Sequence, residues 1–232
     1  MAGRYLLEIS AESVEAAVAA KRSGADRIEL CSELAVGGLT PSAELMMGTR
    51  AEVQIPVFAM IRPRAGDFVY SEAEYASMRA SIKLAKQLQL DGVVLGILTP
   101  ERRVDVHRTR ELVDMARGME VTFHRAIDKT ADLLEAVEDV AQTGASRILT
   151  SGGRETALAG AEKIAEMISR TRGRVVILAG AGINPGNVAE VARKTGAREF
   201  HSGLSSVLAR SAAGEQIQAE VTRLAKELRE IG

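Results

Sequence analysis

Short apolar runs alternate with longer segments of helical period along the whole chain. The eight runs predict β-strands at residues 5–9, 27–31, 57–61, 92–97, 120–123, 147–150, 175–179 and 199–202. Between several of them, apolar residues recur every three or four positions, as on one face of a helix. This period predicts helices at 13–22, 72–88, 133–141, 187–194 and 214–231. Because strand–helix alternation is typical of a parallel sheet, the order of elements predicts an α/β protein, a single (β/α)8 TIM barrel over residues 1–232. A doubly wound open sheet is the alternative.

A short Gly-Ala motif precedes three even-numbered strands, at residues 23–28, 143–148 and 195–200. Glycine accepts the left-handed conformation that ends many helices, so the motif predicts a helix end followed directly by a strand. The interior of a TIM barrel is filled in layers by alternate strands. The aligned motif predicts a low structural layer in which Gly92 leaves room for two arginines, and the layer contains Arg27, Gly92, Arg147 and Glu199. The next layers up contain Glu29, Val94, Leu149 and His201, and then Cys31, Gly96, Ser151 and Gly203.

Four ionisable side chains are predicted to point into the barrel. Successive strand residues alternate between faces, and this alternation turns Glu8, Glu29, His124 and His201 inward. Burial of carboxylates is costly unless they are paired or used, and barrel enzymes carry their sites at the carboxyl ends of the strands. We therefore predict that these four are catalytic residues or ligands of a divalent metal such as zinc or manganese. The alternative is an internal Glu–His hydrogen-bond network that specifies the core.

Loops at the same rim carry residues suited to an anionic substrate. Arg62 and Arg64 follow the third strand and form a predicted anion clamp, with a salt-bridged loop involving Asp67 as the alternative. Glycine-rich turns after strands seven and eight favour phosphate binding through backbone N–H groups. The full set of predicted substrate-binding residues is Arg62, Arg64, Asp67, Arg125, Thr150, Ser151, Gly180, Gly182 and Ser202. Asp128 has weaker support, since it could cap the following helix.

Composition narrows the classes of partner. The chain is 26% charged with a formal net charge of −1, so it lacks the basic excess that nucleic-acid binding requires. No apolar run reaches the length of a membrane span. The single cysteine, Cys31, excludes an internal disulfide and suits a reducing compartment, which predicts a cytoplasmic protein. A lone inward cysteine is more often a small buried apolar residue than a metal ligand.

Six motifs together resemble one known family. They are ADRIELC at 25–31, GGLTPS at 37–42, IRPRAGDF at 61–68, VTFHRA at 121–126, LTSG at 149–152 and AGAG at 179–182. In order and spacing they resemble the CutC copper homeostasis family, from about residue 6 to residue 206. The resemblance implies a cytoplasmic, homo-oligomeric TIM barrel with a role in copper tolerance. It also implies copper(I) binding through cysteines, for which Cys31 is the matching position here, while a second cysteine used in some members is absent.

Two functions from different classes follow. The resemblance favours a copper homeostasis protein that binds Cu(I) weakly through Cys31, with help from His or Met. The residues favour an enzyme acting on a small phosphorylated, carboxylate or sugar-derived anion. In that enzyme Glu and His side chains would supply acid–base or divalent-metal chemistry. A purely structural or interaction role is the third alternative.

Overall fold

Eight parallel strands close into a barrel in the computed structural model, which describes residues 4–204 and 214–232. The strands are β1 (Leu6–Ala11), β2 (Arg27–Leu30), β3 (Val57–Met60), β4 (Gly92–Leu95), β5 (Glu120–Phe123), β6 (Arg147–Thr150), β7 (Val176–Gly180) and β8 (Glu199–Ser202). Each strand pairs with the next in sequence, and β1 also pairs with β8. This closure confirms the predicted TIM barrel, and the open-sheet alternative is wrong.

Helices alternate with the strands and cover the outside of the barrel. They are α1 (Val14–Arg22), α2 (Ala43–Glu52), α3 (Glu72–Gln87), α4 (Val106–Met115), α5 (Leu133–Thr143), α6 (Ala161–Thr171), α7 (Val188–Thr195) and α8 (Gly214–Glu230). Short 3-10 helices lie at Leu34–Val36 and Arg125–Lys129. Gly144 and Gly196 end α5 and α7 in the left-handed conformation that the repeated motif predicts. The main apolar core lies between the helices and the outward-facing strand residues.

Strand β1 continues two residues beyond the predicted end. Its inward-facing set therefore includes Ser10 as well as Glu8, because alternate residues of a strand share a face. In the paired register, Glu8 lies beside Arg27 of β2 on one side and His201 of β8 on the other. This register brings three charged residues to one place inside the barrel.

The low interior layer forms largely as the repeat predicts, with one correction. Arg27 and Arg147 both bind the Glu199 carboxylate, at 2.8 and 2.7 Å. The space above Gly92 is not left to the arginines, however. The Phe58 ring of β3 occupies it, and a Cβ on Gly92 would lie 2.6 Å from that ring. Both guanidinium groups stack on Phe58, at 5.0 and 5.4 Å from its centroid, so an aromatic ring separates and supports the two cations.

Candidate functional site

A cavity of about 630 Å³ lies at the rim formed by the carboxyl ends of the strands. Its volume is in the range of small-molecule sites. Seven of the predicted site residues line it, namely Glu29, Arg62, His124, Arg125, Gly182, His201 and Ser202. The other predicted residues lie behind the wall or outside it, and they are Glu8, Cys31, Arg64, Asp67, Thr150, Ser151 and Gly180.

A chain of hydrogen bonds runs from the low layer up to the cavity wall. Arg27 is ion-paired with one oxygen of Glu8. The other oxygen, Oε1, lies 2.7 Å from Nδ1 of His201, and Nε2 of His201 lies 3.0 Å from Oγ of Ser10. The Ser10 hydroxyl in turn donates to Oε1 of Glu29 at 3.1 Å. These contacts form one continuous polar path, in the order Arg27, Glu8, His201, Ser10 and Glu29.

This path corrects the separation that the layer argument predicts between the structural arginines and the rim glutamates. Glu8 bridges the two because β1 is an odd strand, and its side chain reaches the level between the two even-strand layers. Ser10 is the residue that the sequence analysis missed. Strand alternation from Glu8 could have found it, had the end of β1 been placed two residues later.

The charges along the path shift the pKa values of its members. Burial alone would raise the pKa of the Glu8 carboxyl, but Arg27 and His201 together hold it well below its usual range. Burial opposes the imidazolium form of His201, yet the neighbouring Glu29 and Glu8 carboxylates outweigh it and raise the His201 pKa. Burial raises the pKa of Glu29, with His201 acting in the opposite direction. Glu29 is therefore the carboxyl of this group that gains a proton most readily.

The same group has donors that a cation could use. One ligand atom from each of Glu8, Glu29 and His201 lies within 4.8 Å of the others. Both Glu8 oxygens are already engaged, by Arg27 and by His201. Oε2 of Glu29 is buried and has no hydrogen-bond partner among residues 4–204 and 214–232, so it is an acceptor that a bound cation would satisfy. Imidazole and carboxylate donors fit a divalent ion, with Glu8 orienting the histidine from behind.

The opposite arc of strands contributes a second polar group, centred on Arg62 at the end of β3. Its guanidinium donates to three backbone carbonyls, those of Val36 at 2.8 Å, Gly38 at 3.2 Å and Gly66 at 3.2 Å. Arg62 is only 5% exposed, and it takes part in none of the ion pairs found among residues 4–204 and 214–232. Nε of Arg62 is buried and makes no well-formed hydrogen bond within the described ranges; the Tyr70 hydroxyl is the neutral group that interacts with this guanidinium.

His124, at the end of β5, lies close to Arg62. The aromatic ring of Phe68 contacts both, since its centroid is 5.0 Å from the Arg62 guanidinium carbon and 5.0 Å from the His124 ring centroid. Gly96 makes room for the imidazole, because a Cβ there would lie 2.5 Å from His124 Nδ1. Burial first, and the Arg62 charge second, lower the pKa of His124 to about 3, so the ring is neutral near pH 7.

Arg64 and Asp67 lie outside the cavity lining. Arg64 pairs with Asp67 at 2.8 Å and with Glu74 of α3 at 2.6 Å, which leaves its charge neutralised at the surface. Glu74 also forms a capping box with Ser71 at the start of α3. The pair thus matches the salt-bridged loop that the sequence left open as the alternative to an anion clamp.

Thr150 and Ser151 are engaged by Asp128. The Asp128 carboxylate accepts from Thr150 Oγ1 at 2.5 Å and from the N–H and hydroxyl of Ser151. Arg125 binds the same carboxylate at 2.9 Å and reaches Ser151 Oγ at 3.1 Å. Asp128 therefore anchors the loop after β6. The suggestion that it caps α5 is wrong, because Asp132 accepts the N-terminal amides of that helix.

The loops after β7 and β8 shape the remaining wall. Gly180 lets the Leu149 side chain approach, since a Cβ there would lie 2.4 Å from Leu149 Cδ1. Gly182 lies in the left-handed region at φ 68°, next to Ala181 at φ 80°. The Ser202 hydroxyl donates to the Ile183 carbonyl at 2.9 Å and so ties the two loops together.

Cys31 lies outside the cavity in a small apolar cluster with Phe58, Met60 and Val94. It is fully buried. Burial chiefly, and the nearby Glu29 and Glu12 carboxylates in addition, raise the pKa of the thiol far above its usual value. The thiol is therefore protonated at neutral pH, whereas metal binding requires the thiolate.

Fold and site together define a closed (β/α)8 barrel with a polar cavity at its carboxyl-end rim. The CutC family model matches residues 5–206. The family protein CutC of Xylella fastidiosa (strain 9a5c) is 48% identical over 203 residues, which cover 88% of this chain and 76% of that protein. The human copper homeostasis protein cutC homolog is 44% identical over 205 residues, covering 88% and 75%. The chain belongs to the CutC family.

Solved structures agree with this assignment. The crystal structure of CutC from Streptococcus agalactiae superposes with a TM-score of 0.80 at 31% identity, covering 85% of this chain and 97% of that one. Thiamine phosphate pyrophosphorylase from Pyrococcus furiosus gives a TM-score of 0.67 at 18% identity, covering 98% and 96%. At that identity the second likeness concerns the barrel fold alone.

Proposed function

We propose that this chain serves copper homeostasis by binding a copper ion at the rim, between Glu29 and His201. Membership of the CutC family and the name of its human relative support the copper role. The observation that carries the location is the unpartnered Oε2 of Glu29, which is buried beside an imidazole that a second carboxylate holds in place. A cation there would replace the Ser10 hydroxyl contact of His201 and satisfy the free oxygen.

In this proposal Glu8 positions His201 and does not bind the ion. A metal-binding histidine commonly donates a hydrogen bond from its other ring N–H to a carboxylate, which fixes the orientation of the ring. Glu8 does this through Nδ1, and Arg27 holds Glu8 in turn. The donor set of one imidazole and one carboxylate favours Cu(II) over the softer Cu(I), so in a reducing compartment, where Cu(I) prevails, the site holds copper weakly. The positive charge of Arg27 limits the affinity, and so do the raised pKa values of His201 and Glu29, because each must release its proton to bind a metal.

The family resemblance also implies a more specific copper role, namely weak Cu(I) binding at Cys31. The Met60 thioether in the same cluster is the one soft donor that supports it. The raised pKa and complete burial of the thiol count against it. We therefore place the copper site at Glu29 and His201 and treat Cys31 as a competing location in the test.

The test is a copper titration of purified protein against a competing chelator, with Cu(II) in air and Cu(I) under anaerobic conditions. We expect one Cu(II) site that weakens at least about tenfold in Glu29→Gln and in His201→Gln, since each removes a ligand. Cys31→Ser should leave it unchanged. The matched control is His107→Gln, because His107 lies exposed on α4. A Cu(II) affinity unchanged in His201→Gln, or lost in Cys31→Ser, contradicts the location.

We further propose that the protein acts as a homo-oligomer in the cytoplasm. The lone buried cysteine suits a reducing compartment. None of the helices in the described ranges is long and apolar enough to cross a membrane. Val36 and Met47 are exposed apolar side chains that a second copy could cover. Light scattering on the purified chain gives the mass in solution, and a monomer at micromolar concentration would remove the oligomer from the proposal.

A further inference from the structure

The cavity wall formed by β3 and β5 holds a buried positive charge without a counter-ion. Arg62 is 5% exposed, and its hydrogen bonds go to the neutral carbonyls of Val36, Gly38 and Gly66. Other buried arginines in the described residues, Arg27 and Arg147, are each paired with carboxylates. Burial of a charge is costly unless it is paired, and within residues 4–204 and 214–232 the carbonyls around Arg62 hold a cation that no carboxylate neutralises.

A second unused donor lies beside Arg62. His124 Nδ1 accepts a hydrogen bond from the Ala126 N–H at 3.2 Å, which places the ring proton on Nε2. Nε2 is buried, and nothing in the described parts of the chain accepts from it. Nε of Arg62 is also buried, and its neighbour there is the neutral Tyr70 hydroxyl, which carries no charge to balance the guanidinium. A cation without a counter-ion beside a neutral donor without an acceptor is the complement of a negatively charged, acceptor-only group.

The surroundings define the rest of the ligand. Phe68 packs against both Arg62 and His124, and Leu34 and Met60 add further apolar surface to the same cavity. The volume of about 630 Å³ is more than an inorganic ion requires. A compact molecule with an apolar body and one anionic end fits this combination. Arg62 and His124 line the cavity and both contact Phe68, while Nε of Arg62 and Nε2 of His124 are buried, so a movement of this ring would open them to the anionic end of the ligand.

We propose that Arg62 and His124 form the anion-binding end of a small-molecule site in the rim cavity, and that its ligand is a small organic carboxylate or phosphate ester. Arg62 contributes the charge and His124 a neutral hydrogen-bond donor. Phe68 covers the pair and contacts the apolar part of the ligand. The site is independent of the copper proposal, because it uses residues that follow β3 and β5, whereas Glu29 and His201 are on β2 and β8.

The experiment measures binding of two probes, inorganic phosphate and malonate, to chelator-treated protein by calorimetry and by the shift in Tm. Sodium chloride at matched ionic strength is the reference. We expect at least one probe to bind saturably and to raise Tm, and the preference between the two reports whether the anionic group is tetrahedral or a carboxylate. Arg62→Gln should weaken that binding at least tenfold, and Arg62→Lys, which keeps the charge, should weaken it less. Arg103→Gln is the control, because Arg103 is exposed and paired with Glu135.

Three outcomes overturn the inference. One is that neither probe raises Tm beyond the chloride reference. Another is that the shift is the same in Arg62→Gln as in wild type, and the third is that Arg103→Gln abolishes it equally. If Arg62→Gln does not fold, His124→Asn replaces it, since Asn keeps the acceptor for Ala126 and loses the Nε2 donor; an unchanged probe affinity there also overturns the site. Because copper is absent throughout, failure of this test leaves the copper titration unaffected, and the converse holds.

Discussion

Nδ1 of His201 lies 2.7 Å from Oε1 of Glu8, deep in the barrel. The other carboxylate oxygen of Glu8 forms an ion pair with Arg27 in the layer below. This contact joins the structural base of the barrel to the wall of the cavity. An aligned carboxylate behind an imidazole fixes the ring and its charge state, as the second partners of metal-binding or catalytic histidines do. The properties of the rim group therefore depend on residues that never reach the cavity.

Arg27→Met tests that dependence through stability. The substitution leaves the buried Glu8 carboxylate without its main positive partner and removes one of two partners from Glu199. Loss of one member of a buried ion pair costs about 3–5 kcal/mol, so we expect the free energy of unfolding to fall by about that amount. Urea denaturation followed by circular dichroism measures it.

The control for this prediction is Arg103→Met, which breaks an exposed pair with Glu135. Exposed pairs contribute less than about 1 kcal/mol, because water already solvates both charges. Equal losses in the two variants, or a loss below about 1 kcal/mol in Arg27→Met, would show that the polar path does not support the barrel.

Gly96→Ala tests the packing around His124. A methyl group at this position would lie 2.5 Å from Nδ1 and 2.6 Å from Cε1 of the imidazole, which Phe68 and Phe123 confine. Overpacking of this kind costs about 1–3 kcal/mol. Gly203→Ala is the matched control, since a Cβ there meets no atom of the described residues within 4 Å. Thermal unfolding of the two variants should separate them, and equal Tm values would argue against the confined ring.

Because His124 is buried in its neutral form, we predict that the free energy of unfolding falls in acid. Its pKa falls from 6.5 to about 3 in the folded protein, because burial first and Arg62 second oppose the charged ring. Between these two pKa values, His124 binds a proton in the unfolded chain but not in the folded chain. Stability from this residue is present above pH 6.5 and is lost as the pH falls from 6.5 towards 3, with a slope of up to about 1.4 kcal/mol per pH unit.

His124→Asn should remove that slope over the same pH range, whatever it does to stability at pH 7. His107→Asn should not, because His107 is exposed on α4. The measurement is the urea midpoint at a series of pH values for the wild type and both variants. Parallel pH curves for wild type and His124→Asn would mean that the imidazole is not buried in neutral form.

Cys31 should be chemically inert in the folded protein. Its thiol is fully buried and its pKa is raised by burial and by two nearby carboxylates, so little reactive thiolate forms. We expect Ellman's reagent to modify the native chain at least about a hundredfold more slowly than the urea-unfolded chain. Rapid stoichiometric reaction in native buffer would contradict this burial and would strengthen the case for copper(I) at the thiol.

Much of the fold follows from the sequence because strand spacing and alternation are local signals. The Gly-Ala motif aligned the even strands, and the Arg27–Glu199 pair appears where that alignment puts it. The position of Glu8 relative to Arg27 depends instead on the stagger between β1 and β2, which no local pattern encodes. Phe58 over Gly92 is a second case, since an odd strand fills space that the even-strand argument assigned to arginines.

The candidate site was predictable as a set of inward-facing residues but not as two separate groups. Sequence alternation cannot tell that Arg64 pairs with Asp67 and Glu74 while Arg62 donates to backbone carbonyls, because loop conformation decides it. The free Oε2 of Glu29 is likewise a property of packing. An unpaired atom in a residue that lines the cavity indicates a group that can bind a ligand, and it is visible only in three dimensions.

The most direct test of the proposed copper site is electron paramagnetic resonance with spin-echo modulation on protein loaded with one equivalent of Cu(II). We predict that the spectrum shows coupling between Cu(II) and the remote nitrogen of one imidazole ring. This coupling should disappear in His201→Gln and persist in both Cys31→Ser and His107→Gln. Imidazole coupling that survives in His201→Gln, or a copper signal that changes only in Cys31→Ser, would contradict binding between Glu29 and His201.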